Sequence, residues 1–149
     1  MMRIKLTIFF FFIFSYAHAD EQLNIGNWTQ QKLMATLSAS YKDAPSEVRA
    51  VRKNYLPQAW GPMVQFLRDK RIEINEKQLT LHPEPLTYPI VMSSNDCGFS
   101  PCWNVTQSFN IPELFLKMDC SLHVIPGSLV KGSSTQYIIQ SLSLVLQPI

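Results

Sequence analysis

The chain has 149 residues, 46% of them hydrophobic, with 13 Lys and Arg against 11 Asp and Glu and a formal charge of +2. Two of the positive charges, Arg3 and Lys5, stand at the very start, and the rest of the chain carries 11 of each sign. The clusters RAVRK (49–53) and RDKR (68–71) read as solvated helix faces, so composition and charge exclude nucleic acid as a partner.

Taken in chain order, Arg3 and Lys5 lead into the apolar run LTIFFFFIFSY (6–16). Ala17-His18-Ala19 then places small residues at the two positions a signal peptidase inspects, with Asp20 and Glu21 following. The pattern predicts a secretory signal over 1–19. Leu6 to Tyr16 is about 11 residues, against the roughly 20 needed to cross a bilayer, so membrane contact is expected only through the signal before cleavage. No cysteine follows the cleavage site, so no lipoprotein anchor is indicated. Residues 20–149 have the size of one domain, with no internal repeat, and are expected to be exported.

The first half of that domain has helical periodicity. Trp28, Leu33, Leu37 and Tyr41 mark one face of a helix capped by Asn27 and ending near Lys42. Asp43 is the expected cap of a second helix, with Pro45 in its first turn and Val48, Val51 and Tyr55 on one face. Pro57 to Gly61 is expected to be a turn, with a short third helix from Pro62, because proline inside a helix loses a hydrogen bond and clashes with the preceding turn.

After residue 70 the period falls to 2. RIEINEKQLTLHP (71–83) reads as a half-exposed strand with an irregular middle. CWNVTQSF (102–109) and LFLKMDCSLHV (114–124) alternate across the short connection NIPE, and YIIQSLSLVLQPI (137–149) places Ile138, Leu142, Leu144 and Leu146 on one side, with Gln140 the exception. Helices followed by an antiparallel meander predict an α+β fold. Its core is expected to bring Trp28, Leu37, Tyr55, Trp60 and Phe66 against Trp103, Met118, Leu142 and Leu144.

DCGFSPCWNV (96–105) holds Cys97 and Cys102. The spacing is too wide for a zinc knuckle, and no paired Cys or His motif follows to complete a set with Cys120, His82 or His123, so no metal is expected. A redox dithiol needs a helix start to lower a thiol pKa, whereas Cys102 opens a strand. In an exported chain the default is a structural disulfide between Cys97 and Cys102. A Cys102–Cys120 link is the rival, since a symmetric NIPE turn would set Cys120 opposite Val105. No nucleophile elbow, zinc-protease motif or phosphate loop is present, and an Asp119/His123 pair on one strand face is more often decorative than catalytic. Neither enzymatic activity nor a cofactor is expected. NWT (27–29) and NVT (104–106) match glycan acceptors that matter only in a eukaryotic secretory pathway.

SASYKDAPSEVRAVRKNYLPQAWGPMVQFL (38–67) resembles the IcmL/DotI family of type IVB (Dot/Icm) secretion systems. It offers a first helix ending in an aromatic, a second ending in NYLP, and a third carrying Trp60 and Phe66. CWNV and the closing IIQSLSLVLQPI are similar in order and spacing, so the likeness spans about Trp28 to Ile149. The resemblance implies a nuclear-transport-factor-2-like fold, three helices on a curved four-stranded antiparallel sheet. It also implies a non-enzymatic scaffold or accessory part whose partners are proteins of the secretion apparatus. The family subunit is held by a transmembrane helix after a cytoplasmic segment, whereas this chain opens on a short signal and adds a cysteine loop. Both differences point to a soluble periplasmic relative of that subunit's outer domain. The alternative is a periplasmic binder with a small-ligand pocket in the curved sheet.

Overall fold

The structure, a computed structural model, describes the backbone of residues 2–149 and the side chains of residues 19–149. The expected signal, residues 1–19, therefore falls almost wholly outside the described side chains. Three helices, α1 (Met2–Leu37), α2 (Pro45–Arg52) and α3 (Pro57–Glu76), precede five strands: β1 (Glu84–Pro85), β2 (Ile90–Ser94), β3 (Cys102–Ile111), β4 (Leu116–Pro126) and β5 (Tyr137–Pro148). All strand pairings are antiparallel, in the order β1-β3-β4-β5, with β2 also on β3. Among the described residues, no helix is long and apolar enough to cross a membrane.

The α+β architecture agrees with the sequence, but the count of four strands does not. The two extra pieces, β1 and β2, are short and lie along the same flank of β3, β1 opposite Phe109 and Asn110 and β2 opposite Cys102 to Thr106. The sheet is therefore four positions wide but built from five strands.

Helix α1 runs through Asn27 instead of starting there and ends at Leu37, short of Lys42. Ile25, Thr29, Leu33 and Leu37, four residues apart, form a buried stripe that continues through the supposed cap. Gly26 does not interrupt it. A Cβ at Gly26 would lie 3.2 Å from Pro89 Cβ and 3.3 Å from Val91 Cγ2, so the missing side chain lets α1 lie close on β2.

Asp43 is not the cap of α2. Ala44 holds that place without a side-chain bond, while Asp43 Oδ2 accepts from the Ser40 backbone N–H at 2.8 Å. Helix α3 begins at Pro57, the favoured first helical position, and carries Pro62 within it. Ala59, Trp60, Met63, Phe66 and Ile74 face the core. Burial of that stripe outweighs the one backbone bond that Pro62 removes.

The strand expected from Arg71 is the last part of α3. Ile72 is exposed and Ile74 fully buried, an alternation that a helix face also produces. The helix ends where Gln78 takes a left-handed conformation (φ 51°) and the Leu79 N–H reaches back to the Ile74 carbonyl at 2.9 Å, a closing turn usually built on glycine. Beyond it, Leu79 to Leu81 makes a single bridge, Ser40 to Thr80, with the segment leaving α1.

The core lies between the helices and one face of the sheet. Leu37, Tyr55, Trp60, Phe66, Trp103, Met118 and Leu142 are buried there as expected, with Trp28 and Leu144 partly covered. Tyr55 is fixed twice. The Thr36 hydroxyl donates to the Lys32 carbonyl at 2.7 Å, so the Tyr55 hydroxyl donates to Thr36 Oγ1 at 2.8 Å, and burial raises the Tyr55 pKa above its ordinary value. Next to it, Leu56 N–H bonds the Ile139 carbonyl and Ile139 N–H bonds the Asn54 carbonyl, both at 2.8 Å, tying the α2–α3 link to the edge of β5.

Candidate functional site

Period-2 alternation gives the sheet a second face, away from the helices. On it β3 presents Asn104, Thr106, Ser108 and Asn110, β4 presents Lys117, Asp119, Ser121 and His123, and β5 presents Ser141, Ser143 and Val145. Among the described residues, no helix covers this face. Its middle is a shallow depression of about 260 Å³ whose lining includes Thr87, Ile90, Thr106, Ser108, Asp119 and Ser143. Exposed Ile90 and Met92 on β2 and Val145 on β5 frame the hydroxyl groups.

The charged groups here are held locally. The Ser108 hydroxyl donates to Asp119 Oδ1, and Lys117 Nζ lies 3.7 Å from the same oxygen. His123 Nδ1 is 3.0 Å from Ser141 Oγ. Asp119 and His123 share the face, as the alternation predicts, but four residues along a strand set them about 13 Å apart, too far for a proton relay. His82 pairs instead with Glu113, Nδ1 to Oε2 at 3.5 Å, outside the sheet face. Cys120 points the other way, into the core. Burial, with the Asp119 charge adding to it, pushes its thiol up to about 12, which leaves it protonated and unreactive at neutral pH. Among the described residues, no three His, Cys, Asp or Glu side chains converge as a metal set.

The end of this face near β3's start is different. Cys102, Ile125 and Ile138 form a second buried cluster, flanked by Leu56, Cys97 and Val130. The loop that covers it is closed by a Cys97–Cys102 disulfide, with Gly98 in the left-handed region at φ 80°. The supposed symmetry of the NIPE turn was wrong by two residues. Ile111 pairs with Leu116 and the turn is Pro112 to Phe115, so Cys120 faces Gln107 and Leu122 faces Val105. Cys102 is thus about 17 Å along the sheet from the level of Cys120, beyond the reach of a bridge.

Gln140, the exception in the apolar pattern of β5, has a structural reason. Val124 pairs with Ile139 and His123 with Ser141, leaving Gln140 as the extra residue of a β-bulge. Its Nε2 donates to the Cys97 carbonyl at 2.6 Å and so fastens the disulfide loop to β5. A polar residue breaking the alternation was the signal; the bulge itself was not readable. Asn27, read as a cap, is also re-placed: it stands mid-helix and lines a groove on α1 with Asn24, Gln31 and Gln136. Nothing in a lone amide marks such a groove.

The sequence matches no family profile, and no curated protein is similar to it at a significant level. Two solved structures are similar in three dimensions. An IcmL-like type IV secretion system protein from Legionella pneumophila superposes with a TM-score of 0.67 at 11% identity, over 86% of this chain and 94% of that one. The periplasmic domain of DotI superposes with a TM-score of 0.62 at 14% identity, over 84% of this chain and 94% of that domain. The resemblance read from the residues is therefore met in space: this chain has the fold shared by IcmL-like type IV secretion proteins and the periplasmic domain of DotI.

Proposed function

We propose that residues 20–149 are a single exported domain of the nuclear-transport-factor-2-like kind, released into the periplasm after removal of residues 1–19. In this reading it works as a non-enzymatic scaffold or accessory part related to the IcmL/DotI subunit of a type IVB secretion system. The observation that carries the reading is the extent of the likeness: nearly the whole DotI periplasmic domain is matched by nearly the whole of this chain's domain. The open sheet face is the surface assigned to partners. Its hydroxyl groups, bordered by exposed Ile90, Met92 and Val145, match the mixed polar and apolar make-up of a non-obligate protein interface.

The test is made in the native host. Affinity-tagged protein, crosslinked in intact cells, is expected to recover secretion-apparatus subunits, and Thr106→Arg with Ser143→Arg, two charges on the open face, is expected to abolish that recovery without altering the melting temperature. Deletion of the gene is expected to lower effector translocation. Normal translocation in the deletion strain, together with no apparatus subunit among the crosslinked proteins, would overturn the assignment.

A further inference from the structure

The groove on α1 is a separate place with a different chemistry. It is open, about 750 Å³ in volume, and lined by Asn24, Asn27, Trp28, Gln30, Gln31 and Gln136. Five of these six are carboxamides, the sixth is an indole, and none is charged. Asn24, Asn27, Trp28 and Gln31 stand at i, i+3, i+4 and i+7, one stripe of the helix, spanning about 10 Å along its axis. The side-chain amides of Asn24, Asn27, Gln31 and Gln136 have no hydrogen-bond partner among the described residues.

Gln30 is set from behind. Gln107, only 3% exposed, donates from Nε2 to Gln30 Oε1 at 2.6 Å and to the Thr87 carbonyl at 2.9 Å, while its own Oε1 is buried without a partner. Two carbonyl acceptors fix the orientation of the Gln107 amide, and they turn the Gln30 carbonyl inward, leaving its NH2 group as the end available to the groove. The same buried amide thus ties the β1–β2 connection to β3 through Thr87 and sets the outward end of Gln30.

Carboxylates only accept and ammonium groups only donate, but a carboxamide does both, as do the hydroxyl and acetamido groups of a sugar. A neutral ligand is also free of the desolvation cost that a charge would carry into a groove lined by uncharged groups, with Lys32 Nζ, 5.9 Å from the centroid of the Trp28 ring, as a cation beside it. The part of the indole left open between Tyr137, 5.6 Å away centroid to centroid, and the Lys32 ammonium adds apolar surface for the C–H groups of a pyranose. An extended peptide would instead need apolar sockets for its alternate side chains, and no aliphatic residue lines the groove. We propose that this groove binds a neutral oligosaccharide, with an acetamido-bearing hexosamine chain as the preferred ligand, since acetamido groups pair donor to acceptor with carboxamides. The span of the stripe leaves room for two linked hexose rings. This proposal does not depend on the secretion-system reading.

The experiment titrates protein purified from the native host with triacetylchitotriose, cellotriose and an uncharged acetylated tetrapeptide, following side-chain NH2 and indole N–H signals by NMR. Chitotriose is expected to shift Asn24, Asn27, Gln31 and Trp28, saturating by about 10 mM. Asn27→Ala with Gln31→Ala, exposed positions that hold nothing in the fold, is expected to weaken binding by about tenfold or more at unchanged melting temperature. Equal binding of cellotriose would overturn the acetamido preference. Absence of shifts with either sugar, shifts that ignore the double variant, or binding of the tetrapeptide alone would overturn the saccharide assignment.

Discussion

The two faces of the sheet share the same strands yet do opposite things. Phe109 and Met118, paired across β3 and β4, are wholly buried under the helices. Ser108 and Asp119, the next pair over, look outward and bond to each other. One residue of offset separates the stabilising side from the side free to meet something else. Stability and recognition are therefore written on alternate letters of the same strands, and substitutions can address one without the other.

That separation predicts a graded set of effects. Phe109→Ala, on the covered face, should cost about 3–5 kcal/mol in denaturant unfolding, through lost burial plus the cavity it leaves. A cost below about 1 kcal/mol would mean the core can collapse around the site, which its close packing argues against.

The next effect belongs to the corner of the open face where Cys102, Ile125 and Ile138 are buried. Cys97→Ser with Cys102→Ser should cost about 2 kcal/mol, the loop-closure contribution of so small a ring. Peptide mapping without reductant should recover the 97–102 link, with Cys120 alkylated only after unfolding. Rapid alkylation of Cys120 in the folded protein at pH 8 would contradict its raised thiol pKa. The sign is fixed: the native state keeps that proton beyond the ordinary thiol pKa, so its contribution to stability is complete at neutral pH and declines as pH rises toward about 12.

The smallest effect is expected in the middle of the open face. Asp119→Asn removes a half-exposed charge whose partners are Ser108 and Lys117, and should change stability by less than about 1 kcal/mol. A loss as large as that from the disulfide variant would show that this face is held more tightly than its exposure implies.

The strands that alternate over long stretches, β3 to β5, were legible because burial on one side leaves period 2 in the sequence. The helix ends were not. Pro62 is the residue that most firmly announces a break, yet α3 passes through it, since core contacts on both sides outweigh a local penalty. Gln78 closes the same helix in a place where glycine would have given notice. Residues 71–76 misled for a geometric reason: Ile72 and Ile74 are spaced alike in a strand and across a helix face, and only the buried neighbours decide. Of the candidate residues, the close Cys97 and Cys102 could be read from their spacing and the expected export of the chain. The amide groove could not, because its members come from α1 and from the approach to β5 and are joined only by the fold.

The bulge at Gln140 acts as a phase shifter. Upstream of it Ile138 serves the small cluster beneath the disulfide loop and Ile139 the main core; downstream, Leu142 and Leu144 keep to the main core. If the strand alternated strictly through Gln140 with Leu142 held in place, Ile139 would turn to the outer surface and Ile138 inward, exchanging the tenants of the two cores. Deletion of Gln140 itself would leave both isoleucines on their faces and remove its bond to the Cys97 carbonyl, so a relative lacking the bulge by one residue keeps the same order of polar and apolar residues before this point. Where two such chains are aligned by sequence alone, a gap belongs at this position, and counting from it reveals which face each preceding side chain occupies.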